Sequence, residues 1–66
     1  MLTKNTILIV EKSSELRKLY RQYLEENSSN AYNIIEFETA TQTLIYCQEQ
    51  IPDLILVDFI LPDATV

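Results

Sequence analysis

Residues Asp53 to Ile60 read DLILVDFI, an apolar run that a single internal carboxylate, Asp58, interrupts. Residues Thr6 to Val10 read TILIV, a second run without polar alternation. Short apolar runs rich in β-branched residues are typical of strands that are covered on both faces of a parallel sheet. The two runs therefore predict a first strand over residues 6–10 and a last strand over residues 53–59.

Residues 14–26 have the periodicity of an amphipathic helix. Ser13 or Ser14 can cap its N-terminus, and Glu15 then lies in the first turn, where the helix dipole favours an anion. Turn-forming residues at 27–30 (NSSN) end the helix. The predicted apolar face contains Leu16, Leu19, Tyr20, Tyr23 and Leu24.

Residues 32–37 (YNIIEF) predict the second strand, which is less uniformly apolar than the first and is expected nearer a sheet edge. A second helix follows over residues 41–50. Thr39 or Thr41 can cap it, and Pro52 stops it because the residue before a proline avoids helical angles. Its predicted apolar face contains Ala40, Leu44, Cys47 and Ile51.

The alternation of three strands and two helices indicates two consecutive βαβ units. This order predicts an α/β fold with a three-stranded parallel sheet and two helices. The 66 residues are enough for one domain, over residues 1–66, which buries only about 60% of the surface that its unfolded chain exposes.

Composition excludes several classes of function. A net charge of −5 argues against binding to nucleic acid or to an anionic membrane, and no apolar stretch is long enough to span a bilayer, so we expect a cytoplasmic protein. Cys47 is the one cysteine, and it cannot form an intramolecular disulfide. The chain has no glycine for a phosphate-binding loop and no histidine for a neutral-pH base, so an enzyme is not expected.

Two carboxylates follow the predicted strands, at the end of a parallel sheet where functional groups gather. Glu11 directly follows the first strand, and Asp58 lies near the end of the last. Asp58 could simply end its strand and accept hydrogen bonds from loop amides. Alternatively, the pair could bind a hard cation such as Mg²⁺ and offer an oxygen nucleophile to a phosphoryl group.

The stretches ILIVEKSSELRKLYRQYLEE (7–26) and PDLILVDFILPD (52–63) together resemble the N-terminal half of a bacterial response regulator receiver domain. The resemblance implies half of a flavodoxin-like doubly wound fold, with strand order 2-1-3. It also implies that Asp58 is the acceptor of a phosphoryl group from a histidine kinase. In that family Mg²⁺ is bound by an acidic pair, the acceptor aspartate and a backbone carbonyl, which correspond here to Glu11, Asp58 and the carbonyl of Ile60.

Lys12 departs from this pattern, because it stands where the family has the second acidic residue. An ammonium about 4 Å from a divalent ion is repelled by several kcal/mol even at an effective dielectric constant near 20. We therefore expect weak or lost Mg²⁺ binding and no bound cofactor. The Lys12 side chain could pair with Glu11 and Asp58, or it could extend into water.

The chain is also about half as long as a complete receiver, which suggests a truncated and degenerate domain. Residues Leu54 to Phe59 would then form an uncovered sheet edge, and two copies could join there as a homodimer with a six-stranded sheet. The surplus apolar side chains of Phe37, Ile45, Tyr46 and Ile60 would suit that contact.

Three functions remain open from the sequence. The first is a two-component signalling module that acts by binding a histidine kinase or an intact receiver through its first helix. The second is a working phosphoacceptor at Asp58 whose site a second chain completes. The third is a decayed gene fragment without a role.

Overall fold

The computed structural model of the chain describes residues 5–28, 32–58 and 60–65. Three parallel strands form one sheet in the order β2-β1-β3, with two helices, which confirms the predicted fold class. A two-stranded antiparallel hairpin follows the sheet. The elements are β1 (Asn5–Val10), α1 (Ser14–Ser28), β2 (Tyr32–Phe37), α2 (Ala40–Glu49), β3 (Leu54–Val57), β4 (Ile60–Leu61) and β5 (Ala64–Thr65).

Strand β1 forms the centre of the core. It pairs with β2 on one side and β3 on the other, and its last four residues, Ile7 to Val10, are all buried. Leu8 and Val10 pack with Leu61 on the side of the sheet that carries α2. Ile7 and Ile9 point to the opposite side because side chains alternate along a strand. The continuous apolar run at 6–10 is thus explained by burial on both faces.

The helices begin at residues that the sequence offered as caps. The Ser13 hydroxyl accepts a hydrogen bond from the Leu16 N–H at 3.3 Å, so Ser13 caps α1. Thr39 caps α2 and forms a capping box with Gln42, whose side-chain oxygen accepts from the Thr39 N–H at 3.2 Å. Such reciprocal bonds satisfy N–H groups that a helix leaves unpaired.

Polar contacts help to hold helix α1 on the sheet. Arg21 donates a hydrogen bond to Glu36 of β2 at 2.5 Å, and Arg17 lies 3.5 Å from the same carboxylate. At 3.6 residues per turn, Leu16, Tyr20 and Tyr23 lie roughly 60 to 120° around the helix from Arg17, on the side away from Arg21. This apolar stripe therefore extends over the β3 side of the sheet, and its three side chains remain exposed.

Helix α2 differs from the predicted amphipathic pattern. Ala40 and Cys47 pack against the core, as expected, but Thr43 is buried beside them and Leu44 is exposed. Ile51 is also exposed, and it follows the helix, which ends at Glu49. Tyr46 is part of the packed face instead, and its ring lies against that of Phe37, with ring centroids 5.7 Å apart.

The hairpin was not predicted. The last sheet strand ends at Val57, and Phe59, which was assigned to it, lies outside the described residues. Ile60 and Leu61 pair instead with β5, and Leu61 is buried against the core. The Asp63 carboxylate at the hairpin turn accepts hydrogen bonds from the Ala40 N–H at 2.8 Å and the Thr41 N–H at 2.9 Å, so it ties the hairpin to the start of α2.

Candidate functional site

A pocket of about 320 Å³ lies at the carboxyl ends of β1 and β3. Its position is the one where open parallel sheets place their functional groups. Two carboxylates, one tyrosine and three aliphatic side chains surround it. The lining residues are Val10, Glu11, Tyr20, Leu56, Val57 and Asp58.

Glu11 is the more constrained of the two carboxylates. The residue is only 4% exposed, and its Oε2 accepts a hydrogen bond from the Ser13 N–H at 2.9 Å. Its backbone N–H donates to the Phe37 carbonyl at 3.0 Å, and its own carbonyl accepts from Arg17. The side chain therefore stabilises the loop that leads into α1, and one of its oxygens is already engaged.

Asp58 lies at the rim of the same pocket. Its backbone N–H donates to the Val10 carbonyl at 2.9 Å, which extends the β1–β3 ladder one residue beyond Val57. The residue is half-buried. The structure thus brings Asp58 and Glu11 to one pocket, as the sequence predicted for two residues that end neighbouring strands.

Lys12 is exposed and is not among the residues that line the pocket. None of the ion pairs between described residues involves it. Of the two orientations considered for this side chain, the structure therefore favours the one that extends into water. Lys12 contributes neither a metal ligand nor a neutralising ammonium inside the pocket.

Ile60, whose carbonyl the resemblance assigned to a metal, lies in β4 and pairs with β5. It is not one of the pocket residues. In the part of the chain that the structure describes, no three His, Cys, Asp or Glu side chains lie close enough to share a metal ion. Mg²⁺ is commonly bound through one or two carboxylates and several waters, so the two carboxylates of the pocket are a minimal ligand set, and one of them already accepts a hydrogen bond.

Two features near the pocket were not recognised as functional from the sequence. Tyr20 was assigned to the core face of α1, but it lines the pocket and remains partly exposed. Arg17 was assigned to the solvent side, but its side chain is largely buried between Glu11 and Glu36. Glu36, a carboxylate inside the otherwise apolar stretch NIIEF, was the available signal for a buried cationic partner.

Asp63 was also missed as a contact residue. The Thr41 hydroxyl donates to it at 2.5 Å, and this bond, with those from the Ala40 and Thr41 amides, lowers the pKa of the Asp63 carboxyl. The Pro62–Asp63 dipeptide is a recognisable turn signal. It predicts a turn, but not that the turn reaches the N-terminus of a helix more than twenty residues earlier.

No family model matches the chain. Over 60 residues, which are 91% of this chain, it is 38% identical to a protein named histidine kinase P4 from Formosa agariphila. The chain spans about 4% of that protein's length. Neither described helix combines the length and the apolarity that a membrane crossing requires.

Proposed function

We propose that this chain is a two-component signalling module, related to response regulator receivers, that acts by binding other proteins rather than by metal-dependent phosphoryl transfer. The similarity to a segment of a protein named histidine kinase supports the signalling context. The strand order and the position of Asp58 at the end of β3 agree with the receiver resemblance.

One observation, the composition of the pocket, supports the proposal that metal-dependent chemistry is absent. It holds the carboxylates of Glu11 and Asp58, while Lys12 occupies the sequence position of a third acidic group and extends away. A phosphoryl group carries negative charge, and its transfer to a carboxylate depends on positive charge that offsets the repulsion. The pocket as described supplies no such charge.

Intact-mass measurement tests this part of the proposal. After incubation with acetyl phosphate and Mg²⁺, we expect the chain to keep its unmodified mass. Asp58→Asn, which removes the candidate acceptor, is the matched control and is expected to show the same absence of modification. One phosphoryl group on the unsubstituted chain, absent from Asp58→Asn, would overturn the proposal in favour of a working phosphoacceptor.

The binding role depends on α1, whose apolar stripe is exposed although such side chains are usually buried. Following the receiver resemblance, the partner would be a histidine kinase or an intact receiver, docked on this stripe. Isothermal titration against such a partner is the direct measurement. Leu16→Glu, in the stripe of α1, is expected to abolish the heat of binding. Leu44→Glu, which changes another exposed leucine on α2, is the matched control and should leave the binding unchanged. Equal loss in both variants would contradict the role of α1.

A further inference from the structure

We infer that two copies of this chain pair through the outer edge of β3, with Leu56 of each copy facing Leu56 of the other across a two-fold axis. This inference goes beyond the proposed function, because the pairing does not depend on the chemistry of Asp58. A result against it would leave the mass measurement above unaffected.

The first observation is the state of β3. It pairs with β1 alone, and no other strand of the described residues lies along its outer side. All four of its side chains, from Leu54 to Val57, are aliphatic and between 36% and 49% exposed. Proteins protect exposed edges with lysines, prolines, bulges or a covering element. The four residues of β3 carry none of the sequence devices, so this edge is suited to pairing.

The second observation fixes which backbone groups are free to pair. The Asp58 N–H donates to Val10 of β1, and the backbone groups of a strand point alternately to its two sides. Leu56 and Leu54 therefore direct their backbone groups toward β1. Ile55 and Val57 direct their N–H and carbonyl groups outward. In an antiparallel copy placed about Leu56, Ile55 lies opposite Val57 of the copy, and Val57 lies opposite Ile55 of the copy. Each of these two pairs forms two backbone hydrogen bonds, so all of the outward groups are paired.

The third observation is that both faces of the sheet continue across this axis. On the α1 side, Ile9 pairs with Leu56, so the copy's Leu56 extends an apolar row. On the α2 side, Val10 pairs with Val57, and Val57 meets Ile55 of the copy. Ile55 and Val57 also line an open apolar groove of about 270 Å³ between the sheet, α2 and the hairpin. The four residues of β3 carry no charge, so like charges are not brought together at the axis despite the net charge of −5.

Disulfide trapping tests the pairing and its register together. Directly opposed residues of a non-hydrogen-bonded antiparallel pair have Cα atoms about 4.5 Å apart, which a disulfide can bridge. In a Cys47→Ser background, Leu56→Cys is therefore expected to form a covalent dimer under mild oxidation. Ile55→Cys should not form this dimer, because Ile55 lies opposite Val57 of the copy. The two introduced thiols would therefore be about two residues apart along the strands. Ile51→Cys is the matched control for random collision, since Ile51 is 93% exposed and outside β3.

Sedimentation of the unsubstituted chain tests the dimer without any substitution, so the outcome does not depend on whether the cysteine variants fold. We expect a species of twice the 7.7 kDa of one chain at micromolar concentration. A monomer in that measurement overturns the inference. So does cross-linking of Leu56→Cys no faster than Ile51→Cys, or a preference for Ile55→Cys, which would indicate a different register.

Discussion

Replacing Glu36 by glutamine tests how α1 is attached to the sheet. The Glu36 carboxylate accepts from Arg21 at 2.5 Å and lies 3.5 Å from Arg17, and the side chains of Glu36 and Arg17 are only 25% and 16% exposed. This contact also raises the pKa of Arg21. Glutamine keeps the shape of the side chain but removes the charge that both guanidinium groups share.

The expected cost is about 1.5 kcal/mol. A contact between two charged groups contributes about 1 kcal/mol more than one with a neutral partner, and we assign this full amount to the largely buried Arg17 contact. We assign roughly half of it to the Arg21 contact, because the Arg21 side chain is 40% exposed. A domain of this size has a total stability of about 3 to 10 kcal/mol, so the change is a substantial fraction of it. With a urea dependence of about 1 kcal/mol per molar, the unfolding midpoint should fall by about 1.5 M.

Urea unfolding followed by circular dichroism, at one fixed protein concentration, measures this cost. Glu25→Gln is the matched control, since Glu25 contacts the same Arg21 at 3.7 Å from an exposed position and should contribute at most about 0.5 kcal/mol. If the two variants lose the same stability, the polar attachment of α1 is not what holds it on β2.

Two further predictions concern α2. Thr39→Ala removes the capping box and should cost about 1 kcal/mol in urea unfolding, whereas Ser14→Ala, beyond the cap of α1, should cost much less. Asp63→Asn tests the hairpin contact through its pH dependence: because the folded-state pKa of Asp63 is lowered, its stabilisation is present above the unfolded pKa of about 3.9 and is lost as the pH falls through the folded value. The melting temperatures of the unsubstituted chain and this variant should therefore differ at neutral pH and converge once the pH has fallen through the folded-state pKa, and a constant difference across that titration would contradict the assigned role.

The parallel sheet was predictable because it depends on patterns within short stretches of the chain, whereas its strand order came from the receiver resemblance. The run at 6–10 required burial on both faces, and β1 has it. Thr39 followed three residues later by Gln42 is a local capping signature, and these two residues form the capping box at the start of α2. In the site, Glu11 and Asp58 meet because both directly follow strands that pair with each other.

Contacts between distant segments were not predictable in the same way. Periodicity identified the apolar side of α1 but not the direction in which it points, which the ion pairs of Arg17 and Arg21 with Glu36 determine. The hairpin was missed because the apolar residues of the last predicted strand continue in the sequence through Ile60 and Leu61. Only the burial of Leu61 in the core and the bonds of Asp63 with α2 distinguish it from a longer strand.

Magnesium titration of the unsubstituted chain tests the central claim, that the Glu11 and Asp58 pocket no longer binds the metal. The amide NMR signals of these two residues report on it directly. We expect no saturable shift of either signal at millimolar Mg²⁺. Saturable binding by the unsubstituted chain would contradict the account.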